Sequence, residues 1–117
     1  MPRISTHVLD VSRGVAAAGV AIELHRIDPA GRQPITQVTT NADGRTDAPL
    51  LAGDRLEPGV YELTFHAAEY YRRGGVTLGD PPFLDAVVVR FGIADPTASY
   101  HVPLLLSPYG YSTYRGT

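Results

Sequence analysis

Apolar and polar side chains alternate over short runs along most of the chain, the two-residue period of strands with one buried face. The alternation predicts strands at Ile4–Val11, Val20–Ile27, Ile35–Thr40, Val60–Ala67, Ala86–Ile93, Ser99–Ser107 and Tyr109–Arg115. Gly, Pro, Asn and Asp stand between nearly all of them, as turns require. In Asn41-Ala42-Asp43-Gly44-Arg45 the glycine can take a positive φ and the Asp43 side chain can bond the backbone, so Arg45 leaves a stiff corner. Helical periodicity is confined to Ala67–Arg73, which Gly74-Gly75 ends and whose last turn carries Arg72 and Arg73 at the end favourable to cations. At 117 residues this describes one domain, residues 1–117, of the all-β class: a sandwich of short strands with one short helix.

Counting alternate residues assigns the faces. Val20/Ile22/Leu24, Tyr61/Leu63/Phe65, Val87/Val89/Phe91/Ile93 and Tyr100/Val102/Leu104/Leu106 point inward and make the core. Opposite the last stripe stand Ser99, His101, Pro103 and Leu105, too apolar for a sheet face left in water. A second copy of the chain covering that face is the expected remedy, so a homo-oligomer is anticipated. Pro103 lacks a ladder N–H and suggests an irregular or edge position, and Ser107-Pro108 forces a break before the last strand.

Composition narrows the chemistry. Hydrophobic residues at 44% suffice for a core, and ten basic against twelve acidic residues leave a net charge of −2, giving no electrostatic reason to bind nucleic acid or an anionic membrane. The absence of cysteine removes disulfides, thiolate metal sites and thiol catalysis. All ten basic residues are arginine, which removes Schiff-base chemistry and the phosphate-binding loop that needs lysine. No apolar run reaches the ~18–20 residues of a membrane span. Neither a signal segment nor a Ser-Lys-Leu ending is visible, so a cytoplasmic protein is expected.

Four histidines remain. His25 shares its face with Glu23, and His66 with Glu62 and Thr64, both reading as solvated polar faces. His7 shares its face with Ser5 and Leu9, and Asp10 is the one carboxylate close to it. The short paired spacings of zinc proteins are missing, so no metal and no cofactor are expected. A Gly-x-Ser-x-Gly elbow is missing too. The remaining candidates are outward histidines, an arginine on a rigid corner, and the unusual C-terminus Tyr109-Gly110-Tyr111-Ser112-Thr113-Tyr114-Arg115-Gly116-Thr117.

Three segments carry a resemblance: Ser5-Thr6-His7-Val8-Leu9-Asp10; Asn41-Ala42-Asp43-Gly44-Arg45; and Tyr100-His101-Val102-Pro103-Leu104-Leu105-Leu106-Ser107-Pro108 with Tyr111-Ser112-Thr113-Tyr114-Arg115-Gly116. In this order, over nearly the whole chain, they resemble the 5-hydroxyisourate hydrolases, the transthyretin-related enzymes of urate breakdown. The resemblance implies a transthyretin-like β-sandwich of seven to eight strands with one short helix. It also implies a homotetramer built as a dimer of dimers, and hydrolytic opening of 5-hydroxyisourate, a cyclic amide, to a ureido-imidazoline carboxylate without metal or cofactor. Carried over by motif, His7, Arg45 and His101 are the catalytic residues, and Tyr114, Arg115, Gly116 and Thr117 bind substrate where two dimers face each other.

Two positions depart from the family pattern: Thr117 stands where the family ends in serine, and Phe83-Leu84-Asp85 replaces an aromatic-Pro-Glu run. The alternative within the resemblance is a transthyretin-like carrier of thyroid-hormone type. Transthyretin has lysine, glutamate and threonine at the positions of His7, Arg45 and His101 and lacks the Tyr-Arg-Gly ending, so this chain follows the enzyme. Ring-amide hydrolysis needs water delivered to a carbonyl carbon and an oxyanion stabilised. One of His7 and His101 would act as general base and the other would position or protonate, with His7 favoured as base. Arg45 would anchor the substrate and meet the developing negative charge.

Overall fold

The structure, a computed structural model, describes residues 1–117. Nine strands form in chain order: β1 (Arg3–Asp10), β2 (Val15–Ala16), β3 (Ala21–Asp28), β4 (Gly31–Thr39), β5 (Leu51–Ala52), β6 (Gly59–Phe65), β7 (Val87–Ile93), β8 (Tyr100–Ser107) and β9 (Gly110–Thr113). One sheet runs β2-β1-β8-β9 with β5 also paired to β1, the other runs β4-β3-β6-β7, and the helix α1 (Ala67–Arg73) follows β6. This is the all-β sandwich that the alternation predicts, and α1 has the predicted bounds. Gly75, at φ +87°, turns the chain out of it. No helix is long and apolar enough to cross a membrane.

Every inward stripe residue is buried except Phe91, which is partly buried and stacks on Tyr61 with ring centroids 6.0 Å apart. β1 adds Ile4 and Val8 from the facing sheet, both fully buried. Each such aliphatic side chain contributes about 1.5–3 kcal/mol by leaving water. Asp10 completes the inward row of β1 and is likewise fully buried, so it lies behind the sheet and not beside His7. The hydroxyls of Tyr70 (2.9 Å) and Tyr71 (3.0 Å) from α1 and of Ser12 (2.6 Å) donate to its carboxylate, tying helix to strand. Burial works to raise its pKa, but these donors together with the Ser12 backbone N–H hold it below the usual carboxylate range. Burial likewise pushes the Tyr71 hydroxyl well above the usual phenol range.

Elsewhere the structure redraws the expectations. β4 begins at Gly31, with Pro34 opposite His25 where a bulge shifts the register; as an edge strand it tolerates the proline. Glu62 is not solvated: it is buried beneath Arg90, whose Nε and guanidinium both approach at 2.8 Å, with Arg32 at 3.3 Å. His66 stands at the N-cap of α1, half-buried, with Nε2 2.6 Å from Glu23. Pro103 is not on an edge strand, since β8 lies between β1 and β9, but the regular ladder to β9 stops at it, the irregularity its missing N–H suggests.

Candidate active site

β1 and β8 are far apart in sequence and run parallel, with Ser5 opposite His101 and His7 opposite Pro103. Parity does the rest. Even-numbered residues of both strands enter the core, so Ser5, His7, Leu9, His101, Pro103 and Leu105 share the outer face. His7 and His101 are thereby diagonal neighbours, roughly 8 Å apart at Cα from the strand rise and spacing.

The corner before Arg45 docks onto the edge of β1. Asn41, rather than Asp43, organises it: its Oδ1 accepts the backbone N–H groups of Asp43 (2.9 Å) and Arg45 (3.2 Å), while its C=O accepts that of Gly44. Gly44 sits at φ +74°, and a Cβ there would lie 2.3 Å from the Val8 carbonyl, so only glycine allows the approach. The Val8 N–H then bonds the Gly44 carbonyl at 2.8 Å. Next to this seam His7 Nε2 lies 2.9 Å from the Asp43 carbonyl. A carbonyl only accepts, so His7 carries a proton on Nε2 and donates it there.

His101 is gripped on two sides. Its Nδ1 is 2.9 Å from Ser5 Oγ, and Gly116 lies against its Cδ2 edge so closely that a Cβ at 116 would come within 2.5 Å. Burial first, then the positive charges of Arg45 and His7, lower its pKa below the usual histidine value, which favours the neutral ring at pH 7.

Pro103 explains how the tail reaches this ring. Residues 104 to 107 pair with β9, but the next partner of Tyr114 would be Pro103, which has no N–H, and β9 ends at Thr113. Thr113 Oγ1 donates to the Pro103 carbonyl (2.7 Å), and pairing resumes only at Gly116, whose N–H bonds the His101 carbonyl at 2.8 Å. Gly116 and Thr117 thus wall one side of an open hollow of about 640 Å³, and Arg45 and the segment after it wall the other, with His101 between them. His7 does not line it; it stands two residues beyond Ser5 on the same face of β1. Tyr114 and Arg115 do not enter it: Tyr114 is exposed, and the Arg115 guanidinium lies 4.4 Å from the centre of the Tyr100 ring, beside a smaller depression that includes Phe91 and Val102. The hollow also takes in Arg3, Ser5, Asp47 and Ser99, which the sequence reading leaves out. Ser5 and Ser99 had a signal, their places on the faces of His7 and His101.

Fold and site together define a two-sheet sandwich with an imidazole–guanidinium cluster on one outer sheet face. The chain belongs to the HIUase/Transthyretin family, whose profile matches residues 4–116. It is 56% identical to the 5-hydroxyisourate hydrolase of Ralstonia nicotianae over 100% of both chains. Among solved structures, Klebsiella pneumoniae 5-hydroxyisourate hydrolase is similar with a TM-score of 0.83 and 32% identity, covering 100% of each chain. Sea bream transthyretin in complex with thyroxine is similar with a TM-score of 0.86 and 28% identity, covering 98% of this chain and 95% of that one.

Proposed function

We propose that the protein is a cyclic amide hydrolase that opens the ring of 5-hydroxyisourate to a ureido-imidazoline carboxylate in urate breakdown. The observation that carries this reading is the placement of His101 beside Arg45 and diagonal to His7, in a hollow whose lining residues are mostly polar types. The polar side chains among them suit a small polar ring. The full-length likeness to named hydrolases supports the same choice.

In this mechanism His101 Nε2 takes a proton from water as the oxygen attacks the ring carbonyl carbon. Arg45 meets the oxyanion, and as the C–N bond breaks the proton passes to the departing ring nitrogen. The general base is assigned to His101 rather than His7, because the proton on His7 Nε2 is committed to the Asp43 carbonyl while the environment of His101 keeps it neutral. His7 positions the substrate or donates to it, and Gly116 and Thr117 close the hollow. Tyr114 and Arg115 reach substrate through the assembly, a homotetramer made as a dimer of dimers. The apolar outer face around Leu9 and Leu105 and the open edges of β7 and β9 support that assembly.

The test is a spectrophotometric assay on freshly generated 5-hydroxyisourate. Decay of the substrate signal well above the spontaneous rate, proportional to enzyme, is expected. Decay at the spontaneous rate with folded protein present overturns the reading.

A further inference from the structure

The Ser5 hydroxyl stands opposite the proposed base and makes its one side-chain hydrogen bond to it, at 2.9 Å. That distance alone leaves the proton's location open, because a hydroxyl can donate or accept. The surroundings decide it. Against the opposite edge of the ring lies the Gly116 backbone, a place for a C–H and not for a second ring nitrogen, so the ring is oriented with Nδ1 at Ser5. On the hollow side falls the positive field of Arg45, which, after burial, lowers the affinity of His101 for a further proton. An N–H aimed into that field is disfavoured and a lone pair is favoured. If Ser5 donated to Nδ1, the ring proton would have to sit on Nε2 on the hollow side, facing that field.

We propose that Ser5 is a positioning residue of the hydrolase: its Oγ accepts the Nδ1–H of His101 and so holds the lone pair on Nε2, facing the hollow. The proposal rests on the hydrolase reading for its kinetic consequence, but the tautomer does not depend on it. His7 and His101 then each donate a ring N–H to an oxygen that the fold supplies, Nε2–H to the Asp43 carbonyl in one and Nδ1–H to the Ser5 hydroxyl in the other. The serine hydroxyl keeps its own hydrogen, which is directed to water or substrate in the hollow.

The experiment pairs ¹⁵N NMR of the histidine side chains in the substrate-free protein, above the pKa of His101, with steady-state kinetics for the wild type, Ser5→Ala and Ser5→Thr. Ser5 points out of the core, so neither replacement disturbs packing. The wild type and Ser5→Thr are expected to show His101 protonated on Nδ1, with Ser5→Ala losing that preference. Its kcat should fall about ten- to a hundredfold, part of the ~10²–10⁴ that a positioned general base supplies, with KM little changed and with rescue in Ser5→Thr. A wild-type His101 protonated on Nε2 overturns the proposal, as does a Ser5→Ala protein with unaltered tautomer and kcat. If the wild type shows the Nδ1–H form but no catalysed decay of 5-hydroxyisourate, the tautomer assignment stands and the hydrolase reading falls.

Discussion

Replacing Gly116 with alanine puts one methyl group against the proposed base and little else. The new Cβ would lie 2.5 Å from His101 Cδ2, about 0.9 Å short of the 3.4 Å at which ordinary contact begins. The backbone at 116 lies outside the left-handed region, so the effect is purely steric. Either the imidazole retreats, stretching its 2.9 Å bond to Ser5, or the tail retreats, breaking the 2.8 Å Gly116–His101 backbone bond and carrying Thr117 with it. A misplacement of about 1 Å at a reacting group costs on the order of 10²-fold in rate. The loss in stability is bounded by one backbone hydrogen bond, about 0.5–1.5 kcal/mol, because no core side chain is touched. Initial rates on freshly generated 5-hydroxyisourate, with thermal unfolding as the control for fold, measure both effects. Gly110→Ala is the matched control, since a Cβ there meets nothing nearer than the Ser107 hydroxyl at 3.8 Å. If Gly116→Ala turns over as fast as Gly110→Ala, the contact between tail and histidine does not matter to the reaction, and the site must be redrawn without Gly116 and Thr117.

His7→Ala and Arg45→Ala are each expected to lower kcat by about 10²–10⁴-fold, while His25→Ala and His66→Ala, on the other sheet, stay within about twofold in the same assay. Comparable losses at all four would show that the outer face of the β1–β8 sheet is not where the reaction occurs. Asp10→Asn should unfold at lower temperature at pH 7, by about 2–4 kcal/mol, because buried hydroxyl donors then face an amide where a charged acceptor stood. The folded pKa of Asp10 is depressed, so its contribution is complete above the usual carboxylate range and is lost as the pH falls through that lower value. Thermal melts from pH 7 to pH 2 should therefore show the gap between parent and variant closing in acid; a constant gap refutes the linkage.

The elements that carry a period were legible in the sequence. Seven alternating runs and a seven-residue amphipathic turn gave the main strands and α1, because each buries one face and writes that fact at fixed spacing. β2 and β5 have two residues each, too few to show any period, and form only because β1 offers an edge to pair with. The length of β4 was hidden by Arg32-Gln33-Pro34, polar residues that an edge strand tolerates. Asp10 was misplaced beside His7 because nearness in sequence was weighed above parity, which puts adjacent strand residues on opposite faces. In the candidate site, His7, Arg45 and His101 were recognisable from motifs, but their meeting depends on a parallel pairing across 96 positions that local patterning does not encode. Asp47 borders the hollow only because separate segments dock there, and nothing in its neighbours' spacing announces it.

The even–odd division of β1 and β8 also bears on how such a protein changes over time. Ile4, Thr6, Val8, Tyr100, Val102 and Leu104 are answerable to packing, whereas Ser5, His7 and His101 between them are answerable to whatever occupies the hollow. Substitutions at the second set leave the interior untouched, so one scaffold can exchange a reactive surface for a merely adhesive one by point replacements, without passing through an unfolded ancestor. Insertions are another matter. A single residue added within β1 would turn its interior set outward and its reactive set inward at once, so this strand can vary in its letters but hardly in its count.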